Sequence, residues 1–156
     1  MNSKILVAIA ISALIISVAA LLTGRSDSLD WHRDYASALA TAKARNQMVV
    51  AYIYTDWCMY CKKMEAETFS SEQVKREAGR FVWLKLNPEQ DADGARLRQQ
   101  YALAGYPTIL LLDSRGTRVD QIEGYLPADI FVRVLTEVAS QAVSPAGSSF
   151  PLSSSH

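Results

Sequence analysis

The stretch YTDWCMYCKKME, residues 54–65, holds both cysteines of the chain and follows directly on the strand-like run QMVVAYIY. A nearly continuous apolar run of this kind predicts a central strand covered on both faces. Beyond it, Cys61, Met64, Glu65 and Thr68 fall at helical spacing, which predicts a helix opening at Cys58. Two cysteines at this spacing admit three readings: a structural bridge, half of a metal site, or a pair that makes and breaks a disulfide.

A bridge across so few residues restrains the unfolded chain least, which argues against a structural staple. A structural zinc site needs four ligands, and the chain offers only His32 and His156 beside the two cysteines. The redox reading has a positive mechanism. A cysteine at a helix N-terminus meets unsatisfied backbone N–H groups and the positive end of the helix dipole, both of which favour thiolate. Cys58 is on that account the attacking nucleophile. Cys61, one turn along, is placed to attack a mixed disulfide formed by Cys58 and to release the reduced product. The rival from another class is a tethered module whose thiolates hold a soft ion such as Cu(I), with Met59 and Met64 nearby.

Composition narrows the partners. The chain has 156 residues, with 16 lysines and arginines against 16 aspartates and glutamates, so no net field draws it to nucleic acid. Residues 5–22, ILVAIAISALIISVAALL, carry no charge. As a helix they would reach about 27 Å, close to the hydrocarbon thickness of a bilayer. Lys4 precedes this run, while Arg25 and Asp27 after it cancel, so the expectation is an anchor over residues 1–22 with the rest outside the cytoplasm. The expected location is the cytoplasmic (inner) membrane, facing the periplasm or extracytoplasmic space. A signal peptide cleaved after Ser17-Val18-Ala19, releasing the domain to the periplasm, is the alternative. A linker over 23–29, a domain over 30–142 and a disordered Ser/Pro/Gly-rich tail over 143–156 complete the expected organisation.

Within the domain, Asp30 is expected to cap a helix reaching about Arg45, with Trp31, Tyr35, Leu39 and Ala42 on one face. Ser70 with Gln73 resembles a capping box for a short helix that Gly79 closes, and FVWLKLN reads as the next strand. Asp91 to Leu103 has amphipathic spacing. TILLLD and TRVDQIE flank the turn SRG and predict a hairpin. Pro127 opens a last helix with Ile130, Phe131, Val134, Leu135 and Val138 as its buried stripe. The order predicts an α/β domain, a mixed sheet with helices on both faces.

DWCMYCK after a strand, WLKLN as the next strand, and GYPTILLLDSRG leading into EGY resemble the thioredoxin superfamily over roughly Asp30 to Ala142. YTDWCMYCKKMEAETFSSEQV most resembles the C-terminal thioredoxin-like domain of DsbD-type thiol:disulfide interchange proteins. The resemblance implies a thioredoxin fold and an extracytoplasmic thiol–disulfide oxidoreductase with no bound cofactor or metal. Its partners would be protein thiol or disulfide clients and an electron-donor protein. A dedicated reductant of cytochrome c maturation or another maturation pathway is the alternative. The resemblance further implies that Pro107 is cis and faces the cysteines, that the backbone beside it at Tyr106 meets substrate, and that Trp57 and Gly124 flank the site. Glu65 matches an acid of the DsbD-type domain and is the candidate proton acceptor. Tyr52 stands where these families usually carry a buried aspartate. Lys85 matches the lysine of the strand KLN, for which outward snorkelling is the plain alternative.

Overall fold

The side chains of QMVVAYIY alternate between two hydrophobic cores, and that alternation organises the domain. The computed structural model describes residues 28–143. Its elements are β1 (Trp31–His32), α1 (Tyr35–Arg45), β2 (Met48–Ile53), α2 (Met59–Lys63) running into a π-helical segment (Met64–Phe69), and α3 (Glu72–Glu77) with a 3-10 turn (Ala78–Arg80). There follow β3 (Phe81–Leu86), α4 (Ala92–Gln100), β4 (Thr108–Leu112), β5 (Arg118–Glu123) and α5 (Ala128–Val143). One sheet runs in the order β1-β3-β2-β4-β5. β3 is parallel to both β1 and β2, whereas β4 is antiparallel to both β2 and β5. This is the mixed sheet with flanking helices that the element order predicts.

Val50 and Tyr52 of β2 point to the core shared with Cys58, Cys61, Met64, Phe69, Val74, Phe131 and Leu135, so α2, its π-helical continuation, α3 and α5 cover that face. Val49, Ala51 and Ile53 point to the other core, against Ala38 and Ala42 of α1 and Leu97 of α4. An aromatic cluster fills the first core. Phe69 lies 4.9 Å from Tyr52, 5.1 Å from Trp31 and 5.6 Å from Phe131, all edge-on. Each such pair contributes about 0.5–1.5 kcal/mol beyond simple area burial.

Several local expectations are corrected. Trp31 is not on the first helix: it pairs with Trp83 at the start of a short parallel strand, and its ring packs 5.6 Å from that of Trp83. The helix starts four residues later than an Asp30 cap requires, because Asp34 is the N-cap and its carboxylate accepts from the Ser37 N–H at 2.6 Å. The cap of α3 is Ser71, whose hydroxyl accepts from Val74 N–H, and not Ser70, whose hydroxyl donates to the Ala66 carbonyl. Gly79 lies within the 3-10 turn that follows α3. α4 stops at Gln100; Ala102 takes a φ of 49° and Leu103 N–H returns to the Arg98 carbonyl. Pro127 precedes α5, its carbonyl accepting from Phe131 N–H, and Phe131, Leu135 and Val138 are the buried members of the predicted stripe. Leu29, in the stretch expected as linker, is buried in the first core. The anchor or signal segment over 1–22 and the tail after Val143 lie outside the described residues. Among the described residues no helix is long and apolar enough to cross a membrane.

The turn after β3 matters for the site. Asn87 N–H donates to Asp91 Oδ2 at 2.6 Å, Asp91 N–H to the Asn87 carbonyl at 2.7 Å, and Glu89 N–H to Asn87 Oδ1 at 3.0 Å. Gly94 of α4 packs on this turn so closely that an added Cβ would lie 2.9 Å from Pro88 N and 3.0 Å from Pro88 Cα. Those are backbone atoms and cannot swing aside. Gly94→Ala gains about 1 kcal/mol of helix propensity but overpacks by more, roughly 1–3 kcal/mol. The expected outcome is a Tm lowered by several degrees in thermal unfolding. Gly79→Ala, where a Cβ meets nothing within 4 Å, is expected to stay within about 0.5 kcal/mol of the parent.

Candidate active site

The chain leaves β2 and crosses to α2 through Tyr54–Trp57, and this short connection fixes Cys58 at the helix start. Cys58 N–H donates to the Thr55 carbonyl at 3.3 Å. Cys58 is the N-cap of α2, with extended backbone (φ −74°, ψ 111°), and its Sγ accepts from the Cys61 N–H at 3.1 Å. Cys58 and Cys61 form a disulfide, with their Cα atoms 5.2 Å apart. Cys58 is 4% and Cys61 1% exposed. The sulfur of Cys58 thus sits against a backbone donor that stabilises negative charge on it once the bond is reduced.

Around this pair the surface is apolar and open. Trp57, Met59 and Tyr60 are 65%, 73% and 64% exposed. Trp57 Nε1 donates to Glu89 Oε1 at 3.0 Å, so the turn after β3 holds the indole, and its ring meets that of Tyr106 at 6.1 Å. Glu89 carries no signal in the sequence; only the fold brings it to Trp57. The Tyr106–Pro107 peptide bond is cis. Pro107 directly precedes β4, whose first residue, Thr108, pairs with Ile53 at the end of β2. Pro107 therefore stands beside the strand end from which the chain departs toward Cys58. Gly124 adopts a φ of 81°, and its N–H donates to the Pro107 carbonyl at 2.8 Å. Its amide is thereby engaged with the Pro107 segment, and its positive φ suits glycine.

Behind Cys61 lies a polar group inside the first core. The Tyr52 hydroxyl is 3.2 Å from the Cys61 carbonyl and 3.2 Å from Glu65 Oε1. Lys85 Nζ reaches the same Glu65 oxygen at 2.8 Å, with the Lys85 side chain only 12% exposed. Lys85 is the register partner of Tyr52 across β2 and β3, so its ammonium turns back to Glu65 and lies 4.3 Å from the Tyr54 ring centroid instead of snorkelling outward. Burial first, and then the Glu65 carboxylate, push the Tyr52 phenol well above the ordinary tyrosine range, so it remains a hydrogen-bond donor. The Lys63 ammonium lies 4.5 Å over the Tyr125 ring. Among the described residues no group of three or more His, Cys, Asp or Glu side chains is arranged to hold a metal ion.

A family model for the thioredoxin-like domain matches residues 35–139. The chain belongs to the thioredoxin-like family. It is a thioredoxin-like thiol–disulfide oxidoreductase, and Cys58 and Cys61 are its cysteine pair. It is 34% identical over 99 residues to the thiol:disulfide interchange protein DsbD of Yersinia enterocolitica, covering 62% of this chain and 17% of that protein. The chain thus spans about a sixth of the length of the curated relatives it matches. Among solved structures, the oxidised DsbD C-terminal domain of Neisseria meningitidis is 25% identical with a TM-score of 0.56, covering 69% of this chain and 97% of that one. A thioredoxin from Thermus thermophilus is 30% identical with a TM-score of 0.62, covering 74% and 88%.

The two cysteines of this thioredoxin-like domain are both buried, and the hydrogen bond that tells them apart runs from Cys61 N–H to Cys58 Sγ. After reduction, Cys58 is expected to react with iodoacetamide at a pH where Cys61 does not, because only Cys58 Sγ faces a helix-end N–H. Peptide mapping of singly alkylated protein between about pH 5 and 8, roughly spanning the thiolate range, checks this. Equal labelling of both would remove the basis for assigning Cys58 as nucleophile.

Proposed function

We propose that the chain is a reductase of protein disulfides acting on the extracytoplasmic side of the cytoplasmic membrane. The observation that carries this reading is the Cys58–Cys61 disulfide at a helix start, inside an exposed apolar rim that has no cation between the cysteines. Strong oxidants owe their potential to extreme stabilisation of the reduced thiolate, and Met59-Tyr60 supplies nothing of that kind. The uncharged run at residues 5–22 supports membrane attachment with the domain outside. Similarity to the DsbD C-terminal domain supports protein thiols and disulfides as partners on both sides of the exchange.

The reaction runs in two displacements. Cys58 thiolate attacks one sulfur of a client disulfide; the client S–S bond breaks, a Cys58–client bond forms, and the freed client sulfur takes a proton from solvent. Cys61 then passes its proton to Glu65, one turn along the helix, and attacks Cys58 Sγ. The intramolecular disulfide forms and the second client sulfur leaves. A donor protein bearing a dithiol returns two electrons and two protons to the pair. Trp57, Met59, Tyr60 and the backbone at Tyr106 and Pro107 form the surface on which the client lies.

Equilibration with glutathione or dithiothreitol is expected to place the Cys58–Cys61 potential nearer thioredoxin's, about −270 mV, than that of a strong oxidant, about −120 mV. A value near the latter overturns the reductase assignment. With Cys61→Ser, exported thiol proteins are expected to accumulate as mixed disulfides on Cys58, and their absence would count against exchange.

The location has its own test. A membrane-impermeant maleimide added to intact spheroplasts is expected to label the reduced pair. Labelling only after lysis reverses the topology.

A further inference from the structure

A hydroxyl has one hydrogen to give. Tyr52 stands 3.2 Å from two acceptors, the Glu65 carboxylate and the Cys61 carbonyl, and holds both from within the core. The Cys61 carbonyl is special in the helix because the backbone ladder changes spacing here. α2 passes into the π-helical segment at Met64, and Met64 N–H reaches back to the Cys61 and Tyr60 carbonyls. Such changes of pitch recur at functional sites and alter which backbone groups the ladder satisfies. The Tyr52 hydroxyl gives Cys61 a donor from outside the helix.

Resting on the reading of Glu65 as proton acceptor, we propose that Tyr52 is a positioning residue whose hydroxyl turns between Glu65 and the Cys61 carbonyl as Glu65 gains and loses its proton. With Glu65 ionised, the charge-assisted bond to the carboxylate takes the Tyr52 hydrogen, because such bonds are about twice as strong as neutral ones. When Glu65 accepts the proton that Cys61 gives up, the new Glu65 O–H donates to the Tyr52 oxygen, and the Tyr52 hydrogen turns to the Cys61 carbonyl. No proton leaves Tyr52; the elevated titration range of its phenol keeps it a donor throughout. The residue that loses the proton and the residue that receives it are thereby linked through one hydroxyl.

The surroundings set the electrostatics of this switch. Lys85 from β3 holds Glu65 Oε1, and Tyr54, just past the end of β2, stacks 5.5 Å from Tyr52 beneath the Lys85 ammonium. The Arg33 guanidinium is 3.4 Å from the Tyr54 hydroxyl. Lys75 of α3, paired with Glu72 at 2.9 Å, lines the same pocket as Glu65 and Lys85. That pocket, about 390 Å³ and bounded also by Trp31, Phe69 and Ser70, gives Glu65 a path to water that does not pass the Cys58 surface where a client lies.

Tyr52→Phe keeps the ring that packs on Trp31, Tyr54 and Phe69 and removes only the hydroxyl. The reduced full-length chain is mixed with an aromatic disulfide such as dithiobis(nitrobenzoate), whose thiolate release is coloured. The first phase reports attack by Cys58, and the second reports displacement by Cys61. Tyr52→Phe is expected to slow the second phase about fivefold near pH 7, leave the first unchanged, and alter the pH profile of the second. In a Glu65→Gln background, itself slowed, the same change is expected to do nothing further. An equal Tyr52→Phe effect with and without Glu65 overturns the proposal, since the hydroxyl then acts on Cys61 alone. Normal release by Tyr52→Phe with slow release by Glu65→Gln overturns it while leaving Glu65 as acceptor. Normal release by Glu65→Gln removes the acceptor and the proposal together. A second measurement needs no Tyr52 variant: the carbonyl carbon shift of Cys61 is expected to follow pH in the intact chain and to stop doing so in Glu65→Gln. A shift indifferent to pH in the intact chain overturns the proposal.

Discussion

Strand β2 has neighbours on both edges and helices on both faces, and the placement of nearly everything else follows from that. Its backbone groups pair with β3 on one side and β4 on the other, so none is left to water. Its side chains then have nowhere polar to point, and a run such as MVVAYI is what survives at such a site. Period-two alternation divides the run into Val49, Ala51 and Ile53 for one core and Val50 and Tyr52 for the other. The second set shares its core with Cys58 and Cys61. A one-residue slip in register would carry Tyr52 to the face of α1 and α4, away from the cysteines.

Burying a hydroxyl and an ion pair under the cysteine helix carries an electrostatic cost that the local geometry offsets. A buried polar group without a partner costs about 1–3 kcal/mol, and a charge costs more. Tyr52 finds two acceptors, and Lys85 finds both the Glu65 carboxylate and the face of the Tyr54 ring. Glu65 keeps contact with solvent, its side chain 40% exposed, so the pair is hydrated at one end and packed at the other. Apolar residues of similar volume would often serve stability at least as well as such a pair. Packing alone would not require this group, which stands against the Cys61 carbonyl.

What the sequence revealed and what it hid divide along a physical line. β2, β3, the β4–β5 hairpin and the helix opening at Cys58 are legible because their signals are local: apolar runs, a Gly-bearing turn, and cysteines at helical spacing. β1 is not, since two residues have no periodicity, and what makes Trp31–His32 a strand is the open edge of β3 and the aromatic cluster behind it. The shift to π-helical spacing at Met64 is likewise invisible, because it changes the ladder without changing which face is apolar. The cysteine pair is legible from its spacing at a helix start, and Glu65, which the resemblance singles out, falls one turn beyond Cys61 in the same helical stretch. The Tyr52–Lys85 proximity needed the parallel register of β2 and β3, and the Trp57–Glu89 bond needed the turn that Asn87 and Asp91 close. Contacts within a turn of helix can be read from a sequence; contacts between strands wait for the register.

The site divides its two sulfurs by what surrounds them. Cys58 lies at the rim, next to Trp57, Met59 and Tyr60, which expose apolar area that a monomer would normally bury. Cys61 lies one turn inward, among Met64, Phe69 and Tyr52 in the core, and the Tyr52 phenol that meets its carbonyl also meets the Glu65 carboxylate. An attacking sulfur needs access to a partner as large as a protein, whereas a resolving sulfur needs only its neighbour and a way to lose a proton. The helix supplies both conditions with one repeat: a cap residue buried just under the exposed rim and, three positions later, a residue deeper in the same core. The same repeat carries Glu65 to the next turn on that inner face, where β2 meets it with a hydroxyl and β3 with an ammonium. β2 thus brings a hydroxyl and β3 an ammonium to a carboxylate that the helix itself carries, so a substitution on either strand changes the surroundings of that carboxylate while leaving the sequence of the cysteine helix intact.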